Sequence, residues 1–192
     1  MDRKLDRTSQ CVLLMVILMT AAVAVAQVEN IDAIARGTST QMGKQFNVKV
    51  SIDQFSTPED RQTLIAAFQK GGHDELARTL SKMKAVGRIR LPSNTGFPIA
   101  YAVSIPTPTG HKIRFATDRV LTIYENAQNE RSKGYDVTFG EIEINDKDKN
   151  ANSGVLYPAV KVTMNKQGEL QFDLFQNPWK LTNIIDWTKG KE

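Results

Sequence analysis

From Gly87 to its C-terminus the chain is a succession of short apolar-rich runs, separated by turns too short to hold a crossover helix. Parallel neighbours need connections of a dozen or more residues, so the sheet is expected to be largely antiparallel. The runs are Arg88 to Leu91, Phe97 to Ile105, Lys112 to Phe115 and onward, Val137 to Ile144, Leu156 to Met164, Leu170 to Leu174 and Trp179 to Ile184. Val137 and Phe139 fall on one parity and Ile142 and Ile144 on the other, so a continuous strand here predicts a β-bulge near Gly140.

Upstream, Phe46 to Asp53 alternates apolar and polar residues strictly, the pattern of a strand with one buried face. The period then changes. Thr57-Pro58-Glu59-Asp60 offers a capping hydroxyl, a proline at the first helical position and two acids where the helix dipole favours them. Leu64, Ile65 and Phe68 share a face up to Gly71-Gly72. Leu76, Leu80 and Met83 share another up to Gly87, which predicts a helical hairpin. The expected fold is α+β, a mostly antiparallel β-sandwich or flattened barrel of about eight strands with one helical hairpin after the first strand. Residues 27–45 read as a loosely ordered N-terminal lead, 46–187 as a single α+β domain and 188–192 as a polar tail.

The first 26 residues have their own logic. Arg3, Lys4 and Arg7 precede 16 residues, Cys11 to Ala26, that are apolar except for Thr20 and end in small side chains. That is a signal-peptide pattern, and the run is short of the roughly 20 residues a spanning helix needs. Residues 1–26 are therefore expected to be cleaved near Ala26, leaving no stable membrane span and a periplasmic or secreted protein. Cleavage removes the single cysteine and with it thiol chemistry and disulfides. It leaves 22 Lys and Arg against 19 Asp and Glu, spread along the chain. Nucleic-acid binding, which needs a basic patch or stripe, is not expected.

Few residues suggest chemistry. Thr117-Asp118-Arg119 interrupts an apolar stretch. It reads either as a polar site, with Arg119 gripping an anion through its planar fork, or as a strand-end fastening. Glu141 and Glu143 project to one face of a strand. With Asp118 and Glu125 they are the candidates for a carboxylate-dependent hydrolase acting on cell-envelope material. Asp146, Asp148, Asn150 and Asn152 imitate the start of a calcium loop, but Ala151 and Tyr157 stand where that loop needs glycine and glutamate. His73 and His111 come from separated turns, and neither a metal nor a cofactor is expected. Tyr157, Phe172, Phe175, Trp179 and Trp187 cluster late and could line an apolar cavity.

Three segments, STPEDRQTLIAAFQKGGHDELARTLSKMKAVGRIR, GHKIRFATDR and NPWKLTNI, resemble a family of small exported bacterial proteins of uncharacterised activity. The likeness runs from about Phe46 to Ile185. Val120 departs from it, standing where that family has proline. The resemblance implies export and one small domain, and brings no catalytic residue with it. The expected function is an exported extracytoplasmic binding or interaction protein, non-catalytic, with Asp118, Arg119, Tyr157 and Trp179 as ligand-binding candidates and a small ligand or envelope protein as partner.

Overall fold

Among the described residues every strand pair is antiparallel, even where the connection is long, as between Ile52 and Gly87 and between Thr117 and Val137. The structure, a computed structural model, describes residues 29–92, 95–121 and 134–188. The 1–26 segment lies outside the described residues. The elements are β1 (Glu29–Gly37), β2 (Gln45–Ile52), α1 (Pro58–Leu80), β3 (Gly87–Arg90), β4 (Phe97–Thr107) and β5 (Gly110–Thr117). They continue with β6 (Val137–Asn145), β7 (Ser153–Met164), β8 (Leu170–Leu174) and β9 (Trp179–Asp186). The sheet runs β6-β5-β4-β3-β2-β1-β9-β7-β8, and β6 also pairs with β7. That extra pairing closes eight strands into a barrel and leaves β8 outside, bonded to β7 alone. Among the described residues no helix is long and apolar enough to cross a membrane.

An eight-stranded barrel is just wide enough to be filled by side chains or to hold one small ligand. This one is filled. Phe115, Ile31, Ile52, Ile89, Ile113, Ile142, Leu156, Trp179 and Leu181 are all essentially inaccessible to solvent. At one end of the barrel Glu29 and His111 face each other, with His111 Nε2 3.5 Å from the carboxylate.

The expected loose lead at 27–45 is corrected by β1, which pairs with β2 on one side and β9 on the other. Ile31, Ala33 and Ala35 point inward and are buried. The alternation was present in the sequence but carried mostly by alanine, a poor strand former whose small size suits a crowded barrel wall. The strand read as first is therefore the second.

The expected helical hairpin is replaced by one kinked helical segment. Its start is as the sequence predicts: Thr57 accepts from the Asp60 N–H at 3.2 Å, and the Asp60 carboxylate accepts from the Thr57 N–H at 2.9 Å, a reciprocal capping box. Gly71 and Gly72 leave helical geometry, Gly72 with φ of 62°, which favours glycine. The chain resumes helix at once, so the glycines bend α1 rather than separate two packed helices. It ends at Leu80, with Ser81 as cap. Gly87 instead opens β3, where a side chain would run into the Ser51 carbonyl.

The bulge expected near Gly140 lies elsewhere. Val137 pairs with Val160 but Phe139 with Tyr157, so the extra residue is on β7. β6 itself keeps regular pairing with β5. Its parity switch has a different cause: Ile142 and Ile144 fill the barrel, whereas Val137 and Phe139 face outward beneath α1, which gives that outer surface a second core. Gly140 makes room for Phe115, because a methyl group there would overlap the Phe115 ring. Gly140→Ala is expected to lower unfolding stability by about 1–3 kcal/mol. An unchanged urea midpoint would show that the ring can move aside.

Candidate functional site

The outward face of β4 to β7 is built in rows by the strand register. Tyr101, Ala116, Phe139 and Tyr157 form one row, and Val103, Arg114, Glu141 and Val155 the next. α1 lies along one side of this surface. Its start is fixed by Ser56, whose N–H bonds the Ala102 carbonyl of β4 at 2.8 Å. Further on, its His73 reaches β7. On the far side β8 rises with β7, and Phe172 stacks on Phe139 (centroids 4.9 Å apart, planes at 20°) and tilts against Tyr157 at 5.9 Å. Sheet, helix and β7–β8 arm enclose a groove of about 910 Å³. Leu64, Ile65 and Phe68 form its helical wall, and Val162, Met164 and Leu170 line its far end. Ile65, Met164 and Leu170 are about half exposed, although each is large and apolar.

His73 ties the helix to the arm. β6 begins opposite Val160, so the Val162 N–H has no strand partner on that side, and His73 Nδ1 accepts it at 3.0 Å. The ring is 5% exposed. An accepting Nδ1 requires the neutral imidazole with its proton on Nε2. Burial lowers the His73 pKa below its ordinary value, aided by Lys161 and opposed by Asp136 and Asp74. Because the folded-state pKa is depressed, the unfolded chain takes up the proton first. His73 therefore contributes stability above about pH 6.5 that is lost as the pH falls below it. Urea unfolding at pH 7.5 and pH 5 should show that loss, and His73→Gln, which can accept the same bond without titrating, should reduce it.

Glu141 and Glu143 lie on the outer face of β6, where Lys112 Nζ approaches them at 2.9 and 3.5 Å and Arg114 Nε reaches Glu141 at 2.7 Å. Burial pushes the Glu141 carboxyl up, but these two cations outweigh it and hold it below the usual carboxylate range. Asp118 is bound by its own neighbour, with Arg119 Nε and Nη2 on the two carboxylate oxygens at 3.0 and 3.1 Å. The motif fastens the end of β5: Thr117 and Thr138 are fully buried, Thr117 Oγ1 donates to the Arg119 carbonyl at 2.5 Å, and Thr138 Oγ1 to that of Pro158 at 2.6 Å. Since Thr117 pairs with Thr138, Glu141 lies roughly 10 Å further along the strands at about 3.3 Å per residue. Asp118 is therefore held apart from Glu141 and Glu143, which share Lys112, and Glu125 lies outside the described residues. No group of three or more His, Cys, Asp or Glu among the described residues is arranged to hold a metal ion.

Of the four ligand-binding candidates, Tyr157 lines the groove. Asp118 and Arg119 sit away from it at the strand end. Trp179 is a correction: it is fully buried inside the barrel against Phe46, out of reach of any ligand on the surface. The late aromatic cluster is likewise divided. Phe172 joins Tyr157, whereas Phe175 packs on Tyr135 and Trp187 donates to Asp32 at 2.8 Å. Sequence reasoning missed Phe139, Tyr101 and Arg61 as lining residues. The available signal was apolar residues on both parities of β4 and β6, which marks strands covered on both faces.

Fold and groove together define a class of molecule: a closed antiparallel barrel, packed solid inside, that carries an apolar groove on its outer wall under a kinked helix. No protein-family model matches the chain, and no curated protein and no solved structure matches it.

Proposed function

We propose that this is an exported, non-catalytic binding protein that holds a small apolar or amphipathic ligand in the groove between α1, the barrel wall and the β7–β8 arm. The supporting observation is the groove itself. Its volume falls in the range of small-molecule sites, and its lining is mostly aromatic and aliphatic with a few polar groups among them. A filled barrel leaves the outer groove as the place for a ligand, and the charge-neutralised carboxylates favour binding over acid–base chemistry. Export is supported by the pattern of residues 1–26.

A neutral fluorophore, N-phenyl-1-naphthylamine, tests the reading. Its emission should rise on addition of the protein, and Ile65→Glu should weaken binding by at least tenfold while leaving the urea midpoint nearly unchanged, because Ile65 is 46% exposed. Binding that is absent, or indifferent to this substitution, would remove the groove from consideration.

A further inference from the structure

The geometry points to a free single-chain anionic amphiphile of the fatty-acid type as the ligand, its carboxylate held by Arg61 at the β4 end of the groove and its chain directed toward Phe172. This rests on the groove reading and adds the ligand's class and direction.

The two ends of the groove differ in kind. α1 starts over β4 and reaches β7 at His73, so the groove beside it runs across β4, β5, β6 and β7. Three inter-strand spacings of about 4.8 Å make that roughly 14 Å. At the β7–β8 end the lining is Val162, Met164, Leu170 and Phe172, with no charged side chain among them. Arg61 stands with Tyr101 among the residues lining the groove from α1 and β4.

The charges decide what sort of head group fits. On the groove's lining Arg114 is matched by Glu141, which also pairs with Lys112 on the neighbouring outer wall. Arg61 is different: among the described residues its side chain has no ion pair and no hydrogen bond. The acid next to it, Asp60, is engaged at the helix cap. Arg61 is near enough to Tyr101 for its charge to favour the phenolate, against the upward push of burial on that hydroxyl. A cation with a planar donor fork beside a hydroxyl donor is suited to a carboxylate. One surplus cation fits a single anionic head group, and the uncharged lining at the β7–β8 end fits the hydrocarbon chain behind it.

The test uses the purified full chain and displacement of 11-(dansylamino)undecanoic acid. Dodecanoate should compete at a concentration at least tenfold lower than dodecanol, and dodecyltrimethylammonium should compete no better than dodecanol. Arg61→Met should abolish the preference for the acid while leaving dodecanol unchanged, and Arg61→Lys should restore part of it. Arg61 is exposed, so neither variant threatens the fold. Equal competition by acid and alcohol, or a preference that survives Arg61→Met, overturns the anionic head group while leaving the groove as a site. Failure of every amphiphile and of N-phenyl-1-naphthylamine overturns both. Co-sedimentation with phosphatidylglycerol vesicles without binding of free dodecanoate would show a membrane-held lipid as the source and also overturn the proposal.

Discussion

Replacing Trp179 with alanine is expected to cost about 3–5 kcal/mol of unfolding free energy, the upper range for truncating a fully buried aromatic side chain. The position explains the size. Trp179 begins β9, pairs with Leu156 of β7 and Gly37 of β1, and so sits on the seam where the barrel closes. Its ring meets Phe46 edge-on at 4.8 Å and 62°, a favourable aromatic geometry. Alanine would leave a cavity bounded by strands that cannot approach one another without breaking the ladder. Urea unfolding checks this, through a lower midpoint at an unchanged slope. The variant also separates a core role from a ligand role. If Trp179 touched ligand, binding would fall while stability held. The structure requires the reverse, with binding kept in the folded fraction, and a loss below about 1 kcal/mol would contradict the packing described.

What the sequence disclosed follows from how each element reports itself. β2 to β9 carry branched and aromatic residues in alternation between turn residues, so their existence and antiparallel order were legible, as was the start of α1 from Thr57, Pro58 and Asp60. β1 was not, because its inward residues after Ile31 are alanines and Ile34 sits on the outward parity. Closure was not fully legible either: whether eight strands make a sandwich or a barrel depends on the pairing of β9 with β1 and with β7, strands that are not neighbours in the chain. The groove needs one more step. In the sequence, Val137 and Phe139 on one parity and Ile142 and Ile144 on the other look like a bulge, whereas they report a strand covered on both faces. Tyr157 could be proposed because aromatics cluster near it, but the same reasoning selected Trp179, since local composition does not say on which side of the barrel wall a ring falls.

Leu80→Ala is expected to cost about 2–5 kcal/mol. Leu80 is 1% exposed and packs with Leu76, Ala100, Ala116, Val137 and Val162 in the cluster between α1 and the outer wall. The kink at Gly71-Gly72 divides α1 into two arms, and helices shorter than about 12–15 residues are marginal in water. The second arm therefore depends on this cluster and on the His73 bond to β7 for its place. A loss below about 0.5 kcal/mol would mean that the helix face is exposed. The cluster is also separate from the barrel interior that holds Trp179, with the sheet between them. Sites without shared partners usually add within about 0.3–0.5 kcal/mol, so the Leu80→Ala and Trp179→Ala losses should sum in the double variant. Their effects on the groove should not match: at equal folded fraction, Leu80→Ala should weaken N-phenyl-1-naphthylamine binding because it loosens the helical wall, and Trp179→Ala should leave it intact. Equal weakening in both variants would mean that the groove is set by the barrel interior and not by the helix packed outside it.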